Sequence, residues 1–274
     1  MTEGESRGDR ISRRAILASL PVSALAGGFA AGGIAGALTA GTTPAVVVGG
    51  PVTSTPAPLA DPRPSTDATT SGILGDGVTD NAKALNALIA AAPAGQDILL
   101  PSGEYLVSGR LSLRSGVNLV GSGVGVTTIR LVDGADAPFV LVLGQSGLRI
   151  SGITFDGGSQ DQQEVALQLD SCTDVVVEDC AFVRMSHAVH VYRTGLDPSG
   201  GIVLRGNHFS EITDFAIRVT EGVESVLIEN NVVTDVAKGA APTPAAIYVR
   251  GTDVTVAGNT VLASDDTAVL VSGS

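Results

Sequence analysis

The sequence predicts an all-β chain, wound as a parallel β-helix and capped near its N-terminal end by one α-helix. Three observations carry this. Five short segments of alternating apolar residues recur, "LRISGITF", "VVVEDCAF", "IVLRGNHF", "VLIENNVV" and "VTVAGNTV", each with a turn residue at 153, 180, 207, 231 or 259. A second set, "ALQL", "AVHV", "AIRV", "AIYV" and "AVLV", follows at Ala166, Ala188, Ala216, Ala246 and Ala268. Finally, "GDGVTDNAKALNALIAAA" carries one helical period ahead of a chain that is otherwise strand-patterned. Strands this short bury no face alone, but stacked as coils they share one continuous core. A β-sandwich also has short strands and frequent turns. It has no need for like residues to recur in register, as they do here at spacings of 27, 27, 24 and 28 residues.

Residues 1–41 read as an export signal. Arg13 and Arg14 precede an apolar, Ala/Gly-rich run, no charged residue occurs between Arg14 and Asp61, and Leu38-Thr39-Ala40 suits cleavage. "SRRAIL" resembles the twin-arginine type, which predicts export of the folded protein and membrane contact during export, or a membrane anchor if the signal stays uncleaved. Residues 42–70 are rich in Pro, Thr and Ala and read as an extended linker. The β-helix is expected over 71–274, with its cap about 80–92. Asp80 is positioned as N-cap, and Leu85, Leu88, Ile89 and Ala92 share one helical face. In the coils, Phe155, Phe182 and Phe209 should stack internally, continued by Val233 and Val261. Asn207, Asn231 and Asn259 should form an amide ladder inside a tight bend. The chain stops at "TAVLVSGS", after a strand whose Val269 and Val271 should face the core. That end is expected to continue in further coils of a longer reading frame or to self-associate.

Composition narrows the function. A net charge of −12 leaves no basic surface for nucleic acid. Thirty-five glycines without a three-residue period indicate many turns. Cys172 and Cys180 are too few for a disulfide framework, lack zinc-site spacing, and read as two buried thiols.

Strand alternation sorts the second set of strands. Val189, Val191, Ile217, Val219, Ile247 and Val249 should face inward. One outward column then reads Gln168, His190, Arg218, Tyr248, Leu270, and the next reads Asp170, Tyr192, Thr220, Arg250, Ser272. His187, Asp214 and Asp266 lie just ahead of these strands. Together they are groups suited to acid–base chemistry on a polymer, and the family resemblance described below implies that the polymer is a polyuronate. An arginine or a calcium ion neutralises the sugar carboxylate, a base removes the C5 proton, and an acid serves the departing oxygen or the opposite face. The expected catalytic residues are His190, Tyr192, Arg218 and Tyr248, with His187, Arg193, Asp214 and Arg250 binding substrate. Asp170, Asp174 and Asp179 are the oxygen donors for calcium nearest in sequence. Alternation scatters them over different faces, so they read as surface charge and no metal ligand is assigned.

"GDGVTDNAKALNALIAAA" followed by "ILLPSGEYLVSGRLSLRSGVNLVGSGVGVTTIRL" resembles the N-terminal block of the pectate lyase superfamily, whose members are right-handed parallel β-helices. Within it, "VNLVGSGVGVTTIRLVDGADAPF" is most similar to mannuronan C5-epimerases. The resemblance implies a pectin-lyase-like solenoid over about residues 72–274, acting on an acidic polysaccharide by lyase or epimerase chemistry. The epimerases carry a Tyr-Gly-Phe-Asp-Pro-His run where this chain has "AVHVYR". The successive Asn-Thr-Asp, Asp-Asp and Gly-His-Gly elements of polygalacturonases are absent as a set, although "SDDTAV" resembles the middle one. Two other readings stay open: a non-catalytic carbohydrate-binding or cell-surface module, and a glycoside hydrolase of the polygalacturonase type.

Overall fold

Residues that accept a positive φ recur at the repeat spacing and decide where the chain turns. Gly147, Asp174, Gly201, Ser225 and Asp253 form one such column, and Gly152, Asp179, Gly206, Asn230 and Gly258 a second; all are left-handed. Glycine takes this conformation freely, and Asn or Asp at modest cost. A computed structural model describes residues 46–49, 63–132, 138–158, 165–236, 245–264 and 267–272. The signal segment 1–41 and Asp266 lie outside the described residues. Between the two columns run the strands of a first sheet: Ser146–Ser151, Thr173–Glu178, Gly200–Arg205, Glu224–Glu229 and Thr252–Ala257, all parallel neighbours. A third left-handed column at Arg184, Glu211 and Asp235 bends the chain again, so the thirteen-stranded second sheet forms two faces. Ala181–Tyr192 and His208–Val219 run through both faces. The result is a right-handed parallel β-helix.

Register between coils is strict. Phe155, Phe182 and Phe209 are direct partners and stack at 5.2 and 5.1 Å between ring centroids. Val233 and Val261 continue that column on one side, Ile129 and Tyr105 on the other. The asparagine ladder is complete: Nδ2 of Asn207 donates to Oδ1 of Asn231, and Nδ2 of Asn231 to Oδ1 of Asn259, at 3.0 and 2.9 Å. Each amide also donates to a strand carbonyl, at Val177, Leu204 and Ile228. Each carbonyl oxygen accepts one further N–H, from Cys180, Asn207 or Asn231. On the outer side of the first sheet, Glu178 bridges Arg149 and Arg205 of the flanking coils. Burial works to raise the Glu178 carboxyl, but its hydrogen bonds from Arg205 and Arg149 hold it below the ordinary carboxylate value.

The cap differs in detail from the sequence reading. The helix spans Ala82–Ala91, with Leu85 and Ile89 wholly buried and Leu88 and Ala92 partly so. Asn81, not Asp80, holds the N-cap position, and its amide is committed to Leu74 and Thr79. Asp80 sits one residue earlier, accepts from the Ala82 N–H, and also accepts from Ser108 in the next coil. The first coil opens at Ser65 rather than 71. Ser65–Asp67 pairs with Asp97–Leu99, and Asp67 caps the turn Ala68–Ser71 by accepting from the Thr69 N–H. Small polar residues carry no apolar period, which is why that strand reads as linker. Val46–Gly49, also inside the predicted linker, lies parallel to Thr252–Ala257 at the far edge of the first sheet. Cys172 and Cys180 are both buried free thiols, and burial pushes each up to about 12.

Asn231 is wholly buried and satisfied on every side. Asn231→Ala strands the Asn207 amide donors and the Leu204 carbonyl, and should lower unfolding free energy by about 1–3 kcal/mol. Urea denaturation checks this; an unchanged midpoint would mean that the ladder is decorative.

Candidate functional site

The third face is built from Leu111–Ser112, Val140–Leu143, Val165–Asp170, the second halves of the two long strands, Ala245–Val249 and Thr267–Val271. Its outward column is in direct register: Gln168 opposite His190, His190 opposite Arg218, Arg218 opposite Tyr248, Tyr248 opposite Leu270. The inward set, Val189, Val191, Ile217, Val219, Ile247 and Val249, is wholly buried. Beyond these, Val269 is half-buried and Val271 is 42% exposed at the edge of the sheet.

Two local irregularities gather the site. Alternation lapses at the alanine column, where Ala188 and Val189 are both buried, as are Ala216 and Ile217, and Ala246 and Ile247. A small residue fits inside the bend, and the residue before it is thrown outward. His187 therefore shares the outer face with His190, their rings 4.6 Å apart and edge to face. The second irregularity is a bulge: Met185 pairs with Ile212 but His187 with Phe215, so His208–Val219 carries one extra residue there. The bulge leaves Asp214 buried beside His187, with Oδ2 3.6 Å from Nε2, and stacks Phe215 on the His187 ring at 5.6 Å. Ser186 Oγ lies 3.1 Å from the other imidazole nitrogen, Nδ1.

Arg218 is the charged centre of the cluster. Its guanidinium lies 5.2 Å from the Phe215 ring and 5.8 Å from the Tyr248 ring, and it forms no ion pair among the described residues. Burial, then the neighbouring His187 and Arg218, drive His190 down to about 3. Burial also lowers His187, against the pull of Asp214 and with help from Arg218. Both imidazoles are thus neutral at pH 7. His190 Nε2 and Arg218 Nε are buried without a hydrogen-bond partner among the described residues, and leaving such a group unpaired costs about 1–3 kcal/mol. A ligand reaches His190 Nε2 only when a neighbouring side chain moves.

Five sequence-predicted residues therefore meet: His187, His190, Asp214, Arg218 and Tyr248. Tyr192 stands one position along the strand, beside Asp170; burial and that carboxylate raise its phenol. Arg193 turns away into a loop, where Nη2 donates to the Leu196 carbonyl. Arg250 pairs with Glu221 at 3.3 Å on the surface. Phe215 was not singled out by the sequence, because its outward direction depends on the bulge. Asp170 is buried against Thr194 and Ser171, while Asp174 and Asp179 occupy left-handed corners at opposite ends of one strand. Among the described residues no three His, Cys, Asp or Glu side chains converge on a metal position.

With this geometry in hand, comparison with known proteins is direct. The family model described as rhamnogalacturonase A/epimerase, pectate lyase-like, matches residues 65–269. The chain belongs to this family. It is 41% identical over 101 residues to mannuronan C5-epimerase AlgE2 of Azotobacter vinelandii, a match covering 31% of this chain and 10% of the relative. Alginate lyase 7 of the same organism is 41% identical over 108 residues, 34% of this chain and 12% of the relative. The chain thus spans about a tenth of the length of these relatives. Among solved structures, a putative glycosyl hydrolase from Parabacteroides merdae shares the fold at TM-score 0.57 and 15% identity, covering 72% of this chain and 97% of that one.

The depressed histidines make stability pH-dependent. A histidine whose folded value lies below its ordinary 6.5 leaves the unfolded chain binding more protons, so stability falls as pH drops from about 6.5 toward about 3. Melting temperature should decline over that window in the parent and less steeply in His190→Gln. Parallel profiles would show that His190 is not buried as a neutral group.

Proposed function

We propose that this protein acts on an acidic, uronate-bearing polysaccharide at the third face, by elimination or by epimerisation at C5. One observation carries the reading: an arginine with no carboxylate partner among the described residues, flanked by neutral imidazoles and a tyrosine, on a chain of net charge −12. On so acidic a chain, a guanidinium held over aromatic rings with no ion pair among the described residues would serve as a receptor for an anion. Arg218 would neutralise the sugar carboxylate, which makes the adjacent C5–H acidic and stabilises the carbanion that its loss creates. His190 would take that proton, and the anionic substrate raises its basicity toward the working range once bound. His187, held between Asp214 and Ser186, positions it by ring contact. Tyr248 would then protonate either the departing C4 oxygen, giving an unsaturated uronate, or C5 from the opposite side, giving the epimer. The names of the relatives, epimerases and a lyase, support both outcomes. A binding module without turnover is the rival, favoured by the buried position of His190 Nε2.

The test is incubation with polymannuronate, alginate, polygalacturonate and an uncharged glycan, with and without calcium. Ultraviolet absorbance of unsaturated uronate reports elimination, and proton NMR of the recovered polymer reports epimerisation. Arg218→Ala and Tyr248→Phe, at half-buried positions on the outer face, should each lower turnover at least tenfold in a chain that still unfolds cooperatively, with Tyr248→Phe, which keeps the ring, moving the melting temperature least. Binding without turnover in the parent would sink the catalytic reading and leave the module.

Export is proposed on the twin arginines. Replacing Arg13 and Arg14 by Lys should leave the protein in the cytoplasm of its host, as read by cell fractionation. Unchanged secretion would favour a route that does not read the pair.

A further inference from the structure

Where the third face hands over to the first sheet, three of the six described coils use a minimal connection. Two residues suffice at 144–145, 171–172 and 250–251, four at 220–223 and five at 113–117; the coil carrying His190 uses the longest of those described, seven at 193–199. In a solenoid, such an insertion on one coil is where a binding surface is usually added. This one is rigidly built. Asp170, 4% exposed, accepts from the Thr194 N–H at 3.0 Å and from Thr194 Oγ1 at 2.8 Å, anchoring the start of the loop. Ser199 Oγ donates to the Tyr192 carbonyl at 3.1 Å and anchors its end, while Arg193 staples the middle through the Leu196 carbonyl at 2.5 Å.

Beneath the loop lies a cleft of about 640 Å³, lined by Asp174, Arg193, Leu196, Pro198, Gly200 and Glu224 among others. Gly200 lets the two strands under the cleft approach closely: a Cβ there would stand 2.2 Å from the Glu224 carbonyl oxygen. Leu196 is 93% exposed although its loop is pinned at both ends. A leucine presented this way has an apolar surface and no protein partner for it. Among the six residues named, one cation faces two carboxylates, the reverse of the balance at Arg218.

We propose that this cleft is a second saccharide site, accessory to the cluster on the third face and selective for an uncharged sugar unit. Leu196 and Pro198 offer an apolar surface to the C–H face of a pyranose ring. Asp174 and Glu224 accept hydrogen bonds from its hydroxyls, and Arg193 donates to a ring or hydroxyl oxygen. A uronate would set its carboxylate against two others. The cleft lies within reach of the same polymer, because Arg193 is ~10 Å along the strand from His190. This deepens the proposed function and rests on it: a glycan that fits both sites presents uncharged units near the uronate held by Arg218.

Calorimetric titration of the full chain separates the two sites. The probes are a polygalacturonate tetrasaccharide and uncharged tetrasaccharides of galactose, glucose and mannose. The parent should bind at least one uncharged probe, and Leu196→Ala and Glu224→Gln should each weaken it about tenfold while leaving the uronate probe unaffected. Arg218→Ala should do the reverse. If no uncharged probe binds, or if both cleft variants bind it like the parent, the proposal is overturned. If the uronate probe alone fails to bind while the cleft variants still lose the uncharged one, the cluster reading falls and the cleft stands.

Discussion

Register between successive coils is the constraint on which everything else in this molecule rests. A parallel coil offers each side chain the same neighbour type above and below, so one misfit would propagate along the column. The buried asparagines enforce the match most strictly. Each of Asn207 and Asn231 uses both amide hydrogens and its carbonyl oxygen within the stack, and a shift of one residue would leave three or four buried polar groups unpaired. The phenylalanine stack alone would tolerate a slip better, because dispersion contacts have weak directionality. The ladder and the stack lie side by side, at 207 and 209 and at 231 and 233, so specificity and apolar burial act on the same turn.

The site arises where that regularity is broken. Ala166, Ala188, Ala216 and Ala246 let the chain bend between the second and third faces, and the bulge at Asp214 shifts one strand against its neighbour. Both departures place polar groups at the bend: His187, His190 and Arg218 on the outer face and Asp214 buried beside them. Burial then sets the electrostatics. Desolvation is the leading cause in both histidines, and the cation of Arg218 adds to it. Beside the neutral imidazoles, the aromatic rings of Phe215 and Tyr248 supply a favourable surface for a guanidinium that forms no ion pair among the described residues. Loop 193–199 repeats the principle on a larger scale, as an irregular segment fastened to a regular frame by Asp170 and Ser199.

The amino-acid sequence determined the recurrence of the coils, the inward and outward faces, the aromatic stack and the asparagine ladder, because a solenoid is specified by local period alone. It also determined the outward column His190, Arg218, Tyr248, since alternation within a strand needs no tertiary information. It missed the start at Ser65, whose small polar residues pair through backbone only, and it placed the helix cap one residue early. Only the tertiary structure decided which polar groups meet. His187 faces outward because the alanine bend cancels one alternation, Phe215 joins it because a bulge shifts register, and Arg193 and Arg250 leave because a loop and Glu221 claim them. The bulge and the Arg250–Glu221 pair join residues 27 to 29 positions apart, and the alanine bend and the Arg193–Leu196 bond are local irregularities; no period within a single strand encodes either.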